Sequence, residues 1–153
     1  MSVEFVSEPF LLCWPELDPL TRKEYAEMYP DGFSGIPLDV SVDMLAALDA
    51  AGRLKTFTAR VNGVLVGYAL VVSTPGTITH KDLNCAQCIA LWLAPEHRRG
   101  RTGVQFITYV DRVIRDSGAQ YVTFAVLPNS KSAAKVLQFL GYHLGEEIYA
   151  KVF

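Results

Sequence analysis

Two periodicities alternate along this chain. Residues 54–61 (LKTFTARV) and 64–72 (VLVGYALVV) are rich in β-branched and aromatic side chains, and they flank Asn62-Gly63. That dipeptide favours the tight turn whose twist matches paired strands, so the pattern predicts an antiparallel hairpin. Residues 85–93 (CAQCIALWL) form a nearly unbroken apolar run, which reads as a strand covered on both faces. Val104, Ile107, Val110 and Ile114 then recur at helical spacing, widened by Phe106 and Val113, and predict a helix that stops at Ser117-Gly118. A strand over 121–126 (YVTFAV), a helix over 130–141 (SKSAAKVLQFLG) and a closing strand over 146–153 (EEIYAKVF) complete the second half. Strand, helix and strand within roughly 35 residues imply a parallel pair joined by a right-handed crossover.

The first third is more polar and rich in turns. Residues 16–29 (ELDPLTRKEYAEMY) read as a helix that ends near Pro30, and 30–37 (PDGFSGIP) as loop. A second helix is expected over 41–52 (SVDMLAALDAAG), with Ser41 as its candidate cap and Gly52 as its stop. With no repeat, linker or low-complexity tract, residues 1–153 are expected to form one mixed α/β domain.

Composition narrows the classes. Half of the 153 residues are hydrophobic and a fifth are charged, which is globular composition. The net charge of −2 argues against a nucleic-acid-binding face. No apolar run has the length of a membrane helix. Three cysteines without a dense framework suit a reducing compartment, so a cytoplasmic protein is expected. Cys85 and Cys88 spell C-x-x-C, but residues i and i+3 of a strand face opposite ways, so no metal site is expected there.

The positive charge is local. His97, Arg98, Arg99 and Arg101 crowd the junction between the apolar strand and the helix after it, together with Gly100 and Gly103. The start of a helix presents unpaired N–H groups and the positive end of the peptide dipoles, which together suit an anion. Glycines let a phosphate approach the backbone, and arginines add charge-assisted bonds. A diphosphate fits this chemistry. The alternative reading is a solvated turn before an ordinary amphipathic helix.

The segment 91–103 (LWLAPEHRRGRTG), followed by an apolar helix, resembles the acetyl-CoA-binding segment of the GNAT N-acetyltransferase superfamily. Arg98 and Gly103 fall on the first and last positions of that family's Arg/Gln-x-x-Gly-x-Gly/Ala pattern, whereas Arg101 replaces its middle glycine and Gly100 stands one place earlier. The resemblance covers residues 54–153, and the loop and tail spellings look most like members carried by bacteriophages and prophages. It implies a six- or seven-stranded, mainly antiparallel sheet with a central splayed parallel pair and flanking helices. It also implies acetyl-CoA as the acyl donor, an amine acceptor and the possibility of a homodimer. By the same resemblance the cofactor-binding residues are Leu93, Arg98, Arg99, Gly100, Arg101, Thr102, Gly103, Val104 and Asn129. For Asn129 a plain helix cap is an equal alternative.

Acetylating an amine requires its neutral form, and an ammonium with a pKa near 10.4 is neutral in only about one molecule in a few thousand at pH 7. Many family members place a glutamate on the fourth strand and a tyrosine on the last helix for the proton transfers; the matching residues here are Gln87 and Leu137. Three readings stay open. Positioning alone can supply the rate. His80 or Tyr149 can serve as base or acid, with Gln87 lining the site. Or the protein binds acyl-CoA without turning it over. A phosphate-binding interaction domain is a further alternative, disfavoured by the overall acidity.

Overall fold

The computed structural model describes residues 2–153. Its strands are β1 (Val3–Glu8), β2 (Leu54–Val61), β3 (Val64–Pro75), β4 (Asn84–Leu93) and β5 (Tyr121–Phe124). The helices are α1 (Phe10–Met28), α2 (Val42–Ala50), α3 (Thr102–Asp116) and α4 (Lys131–Phe139). The strands form one sheet in chain order, antiparallel except for the β4–β5 pair. The expected hairpin is present, and Asn62 and Gly63 both take positive φ, at 50° and 80°, as its tight turn requires.

Alternation along the strands sorts side chains onto two faces. Phe5 and Phe57 pack with Phe106 and Tyr109 of α3 on one face. Tyr68, one position out of phase with Ala69 and Phe57, reaches Glu24 of α1 on the other. The core thus has two layers, with α1 and α2 over one face and α3 over the other.

The architecture corrects three expectations. Among the described residues the sheet has five strands, not six or seven. Residues 146–153 are not a strand: the segment has strand-like composition but pairs with no neighbour, and Tyr149 in it is 89% exposed. A strand is completed by a partner's hydrogen bonds, so propensity alone does not make one. At the other end, α1 begins at Phe10 and contains Pro15 and Pro19. Both prolines lie on the solvent side, while Phe10, Cys13, Leu17 and Leu20 are buried at helical spacing and hold the helix together by packing.

Candidate active site

The site begins where β4 and β5 part. Their parallel pairing runs from Cys85–Tyr121 to Cys88–Phe124, and one more bond joins the Ala125 N–H to the Cys88 carbonyl at 3.2 Å. The chain then turns away through Leu127–Ser130 to α4, while β4 continues from Ile89 to Leu93 paired with β3 but without β5. A bulge marks the point of departure: Leu70 pairs with Ala90 and Val71 with Cys88, which leaves Ile89 without a partner on β3. The extra residue bends and twists β4 away from the line of β5. Ala94 N–H bonds to Val66 O at 2.8 Å. Counting back along the antiparallel ladder turns the N–H groups of Leu91 and Leu93 towards the gap.

At the mouth of this gap a short 3₁₀ turn (Pro95–His97) leads into the basic loop. Gly100 has φ +83°, a left-handed conformation that glycine adopts without strain. Among the described residues, the N–H groups of Arg99, Gly100, Arg101, Gly103 and Val104 donate to no protein acceptor, and no side chain caps α3. A Cβ on Gly103 would meet nothing nearer than Leu93 Cδ2 at 3.9 Å, so this first turn of the helix is open. The residues fit a diphosphate: free donors, a dipole end and no side-chain bulk. Arg99 and Arg101 are exposed, with no ion pair among the described residues.

Arg98 has partners within the protein. Its Nε donates to the Leu93 carbonyl at 2.7 Å and its Nη2 donates to both Glu27 carboxylate oxygens at 2.8 and 2.7 Å. Glu27 also accepts from Trp92 Nε1 at 3.1 Å. Arg98 therefore fastens the loop to β4 and α1, and the free positive charge comes from its neighbours. Sequence spacing did not expose this because the partner lies 71 residues away.

One turn before Glu27 on α1, Glu24 accepts a hydrogen bond from the hydroxyl of Tyr68, whose side chain is almost fully buried. Burial holds the Glu24 carboxyl above the usual glutamate range, and the charge of Glu27 adds to the effect against the opposing Tyr68 bond. Burial likewise pushes the Cys88 thiol up to about 12, with Glu24 among the lesser causes. Glu24 and Glu27 continue the buried stripe Cys13, Leu17 and Leu20 at the same spacing. An acidic pair extending an apolar stripe was the signal for them in the sequence.

The other candidates are scattered. Gln87 is exposed on β4, in register with Val72 and Thr123 just before the gap. Asn129 is exposed in the turn before α4; the N-cap position is Ser130, so Asn129 is not the cap. Leu137 is buried on α4. His80 lies in the β3–β4 connection, its Nδ1 2.9 Å from Thr79 Oγ1. It precedes β4 at Asn84, whereas the gap opens past Cys88, roughly 13 Å further along at ~3.3 Å per residue. Among the described residues Tyr149 bonds only Glu147, in the C-terminal segment. Tyr142 donates to Asp111 of α3 at 2.6 Å and meets Phe124 edge-on, which ties the end of α4 to α3 and β5. Among the described residues no group of three or more His, Cys, Asp or Glu is placed to hold a metal.

Comparison with solved structures places this arrangement among known folds. The ribosomal-protein-alanine N-acetyltransferase of Brucella melitensis biovar Abortus 2308 is 18% identical, with a TM-score of 0.70 and full coverage of both chains. The aminoglycoside acetyltransferase AAC(6')-Iy, solved with a CoA bisubstrate analogue, is 19% identical, with a TM-score of 0.68 over 100% of this chain and 99% of that one. A predicted acetyltransferase of Clostridium acetobutylicum, solved with acetyl-CoA, is 13% identical, with a TM-score of 0.71 over 99% and 96%. At these identities the likeness is one of fold. No curated protein matches the chain by sequence. The sequence model of the acetyltransferase (GNAT) family, however, matches residues 14–142, and the chain belongs to that family.

Proposed function

We propose that this chain transfers the acetyl group of acetyl-CoA to a primary amine of a small molecule or peptide, by direct attack within a ternary complex. The observation that carries the proposal is the parting of β4 from β5 beside a helix start whose amides have no protein partner. Acetyl-CoA supplies an activated acyl thioester. The loop amides and the side chains of Arg99 and Arg101 hold the diphosphate, with Thr102, Gly103 and Val104 forming the first turn beneath it. Leu91 and Leu93 offer backbone donors in the gap, as an added strand would find them. Arg98 keeps this corner rigid, so that the acyl group and the amine meet in a fixed geometry. Asn129 lies at the turn where β5 leaves, beside the expected course of the cofactor.

On the face covered by α1, Gln87 is assigned to orient the amine or a water. His80 and Tyr149 take no part in proton transfer, because one precedes β4 and the other lies in the unpaired C-terminal segment. The aminoglycoside and the ribosomal-protein alanine named for two structural neighbours stand for the two acceptor classes proposed here.

No described helix is long and apolar enough to cross a membrane, and three free cysteines accord with a cytoplasmic setting. The loop and tail spellings support a phage-borne source. The exposed side chains of Leu144, Ile148 and Phe153 support self-association as a homodimer, which sedimentation velocity tests.

The function is tested by thiol release from acetyl-CoA with polyamines, amino acids, aminoglycosides and lysine peptides. Saturable release with at least one class is expected. Acetyl-CoA binding without release in any of them would leave a non-catalytic acyl-CoA-binding protein instead.

A further inference from the structure

The usual catalytic glutamate position of the fourth strand holds Gln87, yet a carboxylate does reach this region from α1, which covers the same face of the sheet. Tyr68 on β3 pairs in register with Trp92 on β4. Glu24 accepts the Tyr68 hydroxyl, and Glu27, one turn on, accepts from Trp92 and Arg98. The end of α1 therefore lies over the last residues of β4. Between Cys88 and Trp92 runs the stretch of β4 that has lost β5. Glu24 is only partly buried, whereas Tyr68 beneath it is sealed.

We infer that Glu24 is the general base of the reaction, accepting the proton of the acceptor amine over the part of β4 that has parted from β5, with Tyr68 as its positioning residue. The inference rests on the acetyl-transfer reading above. In the step, the amine nitrogen bonds to the acetyl carbon as the carbon–sulfur bond breaks. The electron pair leaves with sulfur, the nitrogen's proton passes to a Glu24 oxygen, and the thiolate takes a proton from solvent.

The surroundings suit the task. No lysine or arginine pairs with Glu24 among the described residues, so its charge is not quenched. The ionisable groups facing it are Tyr68 from β3 and Glu27 from its own helix, and Arg98 is engaged by Glu27. Burial and the neighbouring carboxylate raise its proton affinity above that of an ordinary glutamate, against the opposing Tyr68 bond. The Tyr68 hydroxyl donates to one oxygen and leaves the other for the substrate.

The test uses Glu24→Gln, which preserves an acceptor for Tyr68. With the best amine of the thiol-release screen, kcat/KM at pH 7 is expected to fall by roughly 10²–10⁴. The acid limb of the wild-type pH–rate profile should flatten, while acetyl-CoA affinity and thermal unfolding at pH 7 show no loss. Glu24→Asp should restore part of the rate together with the acid limb, which a purely structural role would not produce. A Glu24→Gln enzyme that keeps its rate within about threefold and an unchanged pH profile overturns the base assignment and leaves acetyl transfer standing. A wild type inactive with every amine overturns the reaction first, and the base with it.

Discussion

Arg98 Nε donates to the carbonyl oxygen of Leu93 at 2.7 Å, so the basic loop is tied to the strand it leaves. The same guanidinium forks onto Glu27, joining α1 to the loop, and its carbon lies 5.8 Å from the centre of the Trp92 ring. Arg98→Ala frees the Leu93 carbonyl and the Glu27 carboxylate together. The ion pair itself is partly exposed and contributes little. The lost bond to a backbone carbonyl matters more, at about 1–2 kcal/mol. Thermal unfolding of Arg98→Ala and Arg98→Lys should show both variants destabilised, since lysine lacks the fork. A lysine variant as stable as wild type would contradict the tether.

Arg99 and Arg101 should behave differently. They are exposed and pair with no carboxylate among the described residues, which leaves them to a diphosphate. Arg99→Ala combined with Arg101→Ala should leave stability unchanged and weaken acetyl-CoA binding by roughly tenfold at low salt, with a smaller difference at high salt. Calorimetric titration at two ionic strengths checks this. Equal affinities for variant and wild type at low salt would remove these arginines from the site.

Gly67 sets how closely β3 approaches the end of β4. A Cβ there would stand 2.7 Å from Leu93 Cδ1 and 2.9 Å from the Trp92 carbonyl oxygen. The carbonyl belongs to backbone and has little room to move. Gly67→Ala should cost about 1–3 kcal/mol through overpacking and weaken acetyl-CoA binding as Leu93 shifts. A thermal melt and a titration on one sample read both effects, and an alanine variant matching wild type in both would show that this packing does not position the site.

Glu24 gives stability a particular dependence on pH. Its carboxyl is held above the ordinary glutamate range, first by burial, so the folded state binds this proton more tightly than the unfolded chain. The resulting cost is absent below the unfolded pKa and fully present above the folded one. Replacement by glutamine removes the cost and keeps the Tyr68 contact. The melting temperature of Glu24→Gln relative to wild type should therefore rise from about pH 4 to pH 7. A difference that stays flat or falls over that window would contradict the carboxyl's environment.

Much of the second half of the fold was legible because local chemistry and tertiary packing agree there. Asn62-Gly63 forms the turn it favours, and Phe106, Ile107, Val110 and Ile114 are all buried on α3. Disagreement arose where packing outweighed local preference. β1 was missed because Val3 and Phe5 alternate with polar residues in a short segment that only β2 completes. The start of α1 was set too late because Pro15 and Pro19 look like breakers, although both lie on the side away from the core. Residues 146–153 look like a strand but lack a partner. In the site, the open loop and its glycines were readable from a strand–loop–helix spelling. The engagement of Arg98 by Glu27 and of Glu24 by Tyr68 was not, since both join segments more than forty residues apart.

The central claim is that the open first turn of α3 receives the diphosphate of acetyl-CoA, and Gly103 offers the most direct measurement. A side chain there meets no backbone and needs no unusual φ, so Gly103→Glu should fold as wild type does. Its carboxylate would occupy and repel the anion's place. Calorimetric titration with acetyl-CoA should give saturable binding for wild type and none for Gly103→Glu, with unfolding temperatures alike. Wild-type affinity in the glutamate variant would contradict the account.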